Sequence, residues 1–237
     1  MFGTGVSDLT VYDWPTEDDL RGGSPHLHTL CAEAYAVVAG SGSVQTLTWS
    51  GYEETALAPG SVVHFTPGTI HRLVNGGGLR IVVLMQNSGL PEAGDAVLTF
   101  PPEILADPAR YADAVRSDPR ERRDLAVKGF LRLRAQGRPG FAAFLEAAAR
   151  IVAPRLDTFE SRWRDGPLRA AETTGAQLAA LRDGDLAHLR EAAVTRVPSV
   201  PRDGMCGHLL TYPADLSDPP DHGRDRETTA PPGNTGG

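Results

Sequence analysis

The sequence predicts a mainly β protein with an α-helical extension. Three features predict it. Between Leu27 and about Asn87, short runs rich in Val, Thr, Leu and Tyr alternate with Gly and Pro punctuation, the signature of an antiparallel barrel or sandwich. After Phe100 the apolar residues recur at helical spacing. Beyond Val197 the chain turns rich in Pro, Gly, Asp and Thr. The organisation read from this is a β-barrel domain over 1–100, a helical region over 101–197 and a disordered tail over 198–237.

The β runs are 34–40, 44–50, 61–66, 71–75 and 79–85. Their separators are Gly40-Ser41-Gly42, Ala58-Pro59-Gly60, Pro67-Gly68 and Gly76-Gly77-Gly78. The first of these suits a hairpin, because glycine takes positive φ without strain. Pro101-Pro102 then breaks the chain, and 102–115 reads as one short helix or two. Ser117-Asp118-Pro119 supplies a cap and a first-turn proline for a helix over 120–137. A clearer stripe follows at Phe141, Phe144, Leu145, Ala148, Ile151 and Val152, ended or kinked by Pro154. Further helices are read over 156–166 and 167–184, with Gly166 and Gly184 as stops, and a last short turn or helix over 185–193.

Charge separates the same two regions. Residues 1–100 carry three basic and ten acidic residues, whereas 101–237 carry twenty of each, so the net charge of −7 resides in the first region. An acidic module without a basic stripe is a poor partner for a phosphate backbone, which argues against nucleic acid. No apolar run approaches the ~20 residues that span a bilayer, which argues against a membrane helix. The N-terminus has acids where a signal peptide needs bases, and Cys31 and Cys206 are too few for a disulfide framework. The expected location is therefore cytoplasmic, with reduced thiols.

The chemistry-bearing residues fall in the β region. His26 and His28 stand at i and i+2, a spacing that points both imidazoles to one face of a strand. Glu33 opens the next run, and His71 restarts the chain after Pro67-Gly68-Thr69-Ile70. Three imidazoles and one carboxylate suit a divalent Fe, Mn, Ni, Co or Zn ion and leave open coordination positions. Tyr35 shares strand parity with Glu33 and is a pocket candidate, although core packing accounts for it equally well. His64 alternates with Phe65 and is a second pocket candidate, with a satisfied strand histidine as the plainer account.

Those spacings resemble the cupin superfamily. The chain supplies His26-x-His28-x4-Glu33-x6-Gly40 of its first motif, and Gly60, Gly68, His71 and Asn75 of its second. Two positions depart from the pattern: the leading glycine is replaced by Leu20, and the proline stands one place late at Pro67. The resemblance covers about residues 20–90 and implies a small single-copy double-stranded β-helix, or jelly roll. It implies that His26, His28, Glu33 and His71 are metal ligands, that Gly40, Gly60 and Gly68 serve turns, and that Asn75 braces the turn after His71.

The resemblance further implies a metal-dependent enzyme acting on a small oxygen-chelating substrate. The leading reading is a dioxygenase-type oxidoreductase similar to quercetin dioxygenase, in which Glu33 doubles as a base. One alternative is a redox-neutral isomerase, cyclase or decarboxylase using Mn or Zn. Another is a non-enzymatic module that binds a small ligand. A homodimer is expected by analogy alone.

Overall fold

A computed structural model describes residues 3–212. The β region comprises β1 (Thr4–Val11), β2 (His26–His28), β3 (Glu33–Thr48), β4 (Gly51–Leu57), β5 (Val62–Phe65), β6 (Ile70–Gln86) and β7 (Ala96–Leu98). Two late strands join it, β8 (Val200–Asp203) and β9 (Gly207–Tyr212), and all pairings between named strands are antiparallel.

Strands β3 and β6 organise the barrel. The hairpin expected at 40–42 is instead a bend inside β3, and Gly76–Gly78 is likewise internal to β6. Gly40 takes φ +73° opposite Gly77 and Gly78 at +145° and +62°. A Cβ on Gly40 would collide with the Gly78 carbonyl. Both strands therefore bend together, the register shifts between Val37 and Gly42, and the ladder resumes beyond. Before the bend, β3 pairs with β5 and with the later half of β6, which pairs onward to β1, β9 and β8. After it, β3 pairs with β4 and with the earlier half of β6, which leads to β2 and β7. Two long strands thus serve two facing sheets, and the β region is a double-stranded β-helix.

The expected tail begins too early. Residues 200–203 and 207–212 are strands, with Leu209 opposite Leu9 and Cys206 buried in the barrel core. The reason is that β1 would otherwise end the sheet with unpaired backbone groups, which β9 takes up. The remainder of that tail, with His222, lies outside the described residues.

Seven α-helices are described: α1 (Leu90–Ala93), α2 (Pro102–Leu105), α3 (Pro108–Arg116), α4 (Pro119–Val152), α5 (Leu156–Trp163), α6 (Arg169–Arg182) and α7 (Ala187–Arg190). Asp118 caps α4 by accepting from Arg120 N at 2.9 Å, and Gly137 with Pro139 breaks that helix in two. Gly166 does not stop a helix; the chain passes from α5 to α6 through a wide π turn over Arg164–Leu168. Gly184, at φ +75°, lies two residues beyond the end of α6. No helix among the described residues is long and apolar enough to cross a membrane.

Two apolar clusters hold the layers together. One fills the barrel with Leu9, Tyr35, Val37, Leu73, Leu79 and Ile81. The other seals the outer face of the β2–β7 sheet, where Leu27, Ile70 and Val97 meet Phe130, Phe141, Phe144 and Phe159 from the helices. Gly129 lets α4 approach closely, since a Cβ there would overlap the Thr99 carbonyl. The fully buried Arg123 fastens the N-terminal segment to α4, donating to Trp14 O at 2.7 Å and Pro15 O at 3.1 Å.

Candidate metal centre

Strand alternation builds the centre. On β2, Leu27 points to the helical layer while His26 and His28 point into the barrel. His71, one residue into β6, is the register partner of His26. Glu33 is the first residue of β3 and lies between Phe65 and Met85 of its neighbouring strands. One ligand atom from each of His26, His28, Glu33 and His71 falls within 4.8 Å of all the others. The four residues are between 1% and 5% exposed.

The ring orientations select the donors. His26 Nδ1 lies 2.9 Å from Ser24 O, and His71 Nδ1 lies 3.1 Å from Thr69 O. His28 Nδ1 lies 3.1 Å from Asp95 Oδ2. A carbonyl or carboxylate oxygen accepts, so each Nδ1 carries the proton and each Nε2 turns its lone pair inward. There, His71 Nε2 stands 3.2 Å from His26 Nε2 and 3.1 Å from Glu33 Oε2, with His28 Nε2 at 3.6 Å from the same oxygen. Glu33 Oε2 is buried without a hydrogen bond of sound geometry. Lone pairs and a carboxylate converging in a dry interior are costly unless a cation lies among them. The four residues therefore fit a divalent ion, and this N/O set could hold one.

Electrostatics follow the same arrangement. Burial alone would raise Glu33, but the facing His71 and His28 hold its carboxyl down to about 2. Burial, and then the nearness of the His71 and His28 rings, which disfavours adding a positive charge beside them, pushes His26 well below the ordinary imidazole range. Burial works against charge on His28 too, yet the bond to Asp95 and the charge of Glu33 raise it. Burial and the Glu33 charge push the Tyr35 phenol well up, so it keeps its proton.

Asp95 was not legible as a site residue in the sequence. It is fully buried, and it accepts from Thr29 N at 2.9 Å and Leu30 N at 2.8 Å through Oδ1. Burial alone would raise it, but the His28 and Thr29 hydrogen bonds bring it to about 2. The available signal was an acid set directly before the apolar Ala96-Val97-Leu98 run that pairs with β2. Phe65 was also missed; its ring stacks on His71 at 4.5 Å.

The remaining candidates separate clearly. Tyr35 is 1% exposed, its ring 6.1 Å from that of His71 and 5.0 Å from that of Phe65. His64 is exposed on the outside of the barrel, because Phe65 takes the inward position on β5, and there it lines an open concavity of about 320 Å³ with Ala32, Glu33, Ala34 and Leu84. Asn75 Oδ1 accepts from Gly77 N at 2.9 Å and Leu79 N at 3.1 Å, and its Nδ2 donates to Val11 O at 2.9 Å. Gly60 and Gly68 take φ +89° and +85° at turns flanking β5, and Gly68 N donates to His28 O at 2.8 Å. Burial raises the thiols of Cys31 and Cys206, which leaves neither as a ready thiolate. An open concavity of about 640 Å³ on the outer side of β1, β9 and β8, lined by Asp8, Arg80, Arg202 and His208, contains none of the four donors.

No protein-family model matches the sequence, and no curated protein sequence matches it. Solved structures do match the β region. A double-stranded β-helix protein of Klebsiella pneumoniae is 16% identical over 38% of this chain and 71% of its own, with a TM-score of 0.31. A nucleoside dehydratase from Streptomyces is 17% identical over 37% of this chain and 62% of its own, with a TM-score of 0.29. A TDP-fucose-3,4-ketoisomerase from Campylobacter jejuni is 10% identical over 38% of this chain and 64% of its own, with a TM-score of 0.32. The matches cover less than two-thirds of the dehydratase and ketoisomerase chains. The fold assignment itself rests on the strand order and register described above.

Proposed function

We propose that the protein is a metal-dependent cupin-type enzyme whose single divalent ion is held by His26, His28, Glu33 and His71. The observation that supports this is the convergence of four donor atoms within 4.8 Å, with each imidazole already committed at Nδ1. When bound, such an ion supplies Lewis acidity to a substrate oxygen. The substrate class that suits it is a small molecule with adjacent oxygens, such as an enediol or hydroxyketone.

The chain's own groups favour proton transfer. Glu33 is held as a carboxylate, and the Tyr35 phenol beside it keeps its proton. Glu33 and the Tyr35 phenol stand together in the barrel as the proposed base and acid, and a bound ion would supply the acidity that lets so weak a base take a proton from the carbon beside a chelated oxygen. The rings of Tyr35 and Phe65 wall this side of the site and exclude water. Redox-neutral isomerisation or ring closure is accordingly the reading supported best. Oxygenation of the quercetin dioxygenase type uses the same donors with Fe, Ni or Co and is the second reading.

The test loads the protein separately with Mn, Fe, Co, Ni and Zn and supplies hydroxyketones and enediols in deuterated water. Solvent deuterium entering the carbon skeleton without dioxygen uptake is the expected result, slowed by Tyr35→Phe. Dioxygen consumption matching substrate loss would replace it with the oxygenase reading. Substrate binding without turnover under any metal would leave a ligand-binding module and no enzyme.

A further inference from the structure

The three imidazoles are not held alike. His26 and His71 each rest on a backbone carbonyl, which only accepts, so their ring tautomers are fixed whatever side chains surround them. His28 rests on one replaceable side chain, the Oδ2 of Asp95 at 3.1 Å. Asp95 Oδ1 is already engaged by Thr29 N at 2.9 Å and Leu30 N at 2.8 Å, and by the Thr29 hydroxyl. Those groups begin the turn that carries the chain from His28 to Glu33. One fully buried carboxylate therefore braces one donor with one oxygen, and with the other the turn leading to the next.

We infer that Asp95 is a positioning residue that holds His28 as the Nδ1–H tautomer, so that Nε2 presents its lone pair to the centre. This rests on reading the four donors as a metal site. The two oxygens divide the work in a way that makes the role separable from simple packing. In Asp95→Asn, the amide oxygen must stay with the Thr29 and Leu30 N–H groups, because only oxygen accepts there. The amide nitrogen then faces His28 Nδ1, donor toward donor. The ring answers by giving up the Nδ1 proton and carrying it on Nε2, which closes that lone pair to a cation. Shape and turn are kept while the donor is inverted.

The experiment reads the tautomer in metal-free protein labelled with ¹⁵N-histidine, by long-range ¹H–¹⁵N correlation at a pH where the imidazoles are neutral. Wild-type His28 is expected with the proton on Nδ1 and Asp95→Asn with it on Nε2, while His26 and His71 do not change. Zinc affinity, measured by chelator competition, should fall about 10–100-fold in Asp95→Asn. Thr29→Ala, which removes only the hydroxyl contact, should leave the His28 tautomer unaltered. Wild-type His28 protonated on Nε2 overturns the inference even if the Asn variant does not fold. An Asn variant that folds and binds zinc within about twofold of wild type overturns it as well. Wild-type protein that takes up no zinc defeats the metal reading, and the wild-type tautomer still decides the role of Asp95.

Discussion

The two sheets of the barrel share β3 and β6 yet sit in different surroundings. The sheet that carries β2 is covered on its outer face by helices, and Leu27, Ile70 and Val97 are no more than 1% exposed. The other sheet leaves its outer face open, with Val38, Val62 and Leu84 exposed by 47%, 69% and 40%. All three histidines lie on strand segments of the covered sheet. A donor strand packed on both faces has little freedom to shift, which is what a centre of fixed donor geometry requires. The helical region thus contributes to the centre without supplying a ligand to it.

Truncation on the covered side should cost most. Phe130→Ala is expected to lose about 3–5 kcal/mol, whereas Val62→Ala on the open face should stay within about 0.5 kcal/mol, both by urea denaturation. Similar losses would break the contrast. The next effect lies at the seam between the sheets. Gly40→Ala combines a left-handed backbone with a collision against Gly78, while Gly60→Ala has a left-handed backbone and open space. Gly40→Ala should therefore cost roughly 1–3 kcal/mol and exceed the Gly60→Ala loss.

Acid should act through the carboxylates of the centre, where Glu33 from the open sheet meets the histidines of the covered one. Glu33 and Asp95 ionise at about 2, below their ordinary values of 4.5 and 3.8. A depressed carboxyl contributes its stability in full above its unfolded value and loses it as pH falls toward the folded one. His26, kept neutral well below 6.5, adds a loss in the same direction. His28 is raised, so its contribution is present below 6.5 and is lost as pH rises through its folded value. Metal-free protein should therefore lose stability between about pH 5 and pH 2, and Glu33→Gln should flatten that slope in urea titrations. The smallest effect belongs to α6, which buries no residue: Leu178→Ala should change stability by less than about 0.5 kcal/mol.

The sequence was most legible where chemistry and spacing coincide. His26 and His28 could be read onto one face because side-chain parity on a strand is fixed, whereas Glu33 and His71 joined them through the resemblance to the cupin motifs. The glycine steps were read as interruptions for a physical reason. Gly40 and Gly76–Gly78 have the composition of turns, and only their cross-strand partnership shows that they bend two continuous strands. The late strands were hidden because their driving force is the free edge of β1, about two hundred residues earlier in the chain. Asp95 was hidden for the same reason, since its partners are His28 and Thr29 and nothing adjacent marks them. Motif spacing carried the four candidate donors; long-range pairing carried their support.

X-ray absorption at the edge of cobalt or zinc loaded into the protein tests the centre most directly. The account predicts one ion per chain surrounded by three imidazole rings and at least one oxygen donor at about 2.0–2.2 Å, with one ring lost in His71→Ala. A shell containing sulfur, or one with fewer than two imidazoles, would contradict it.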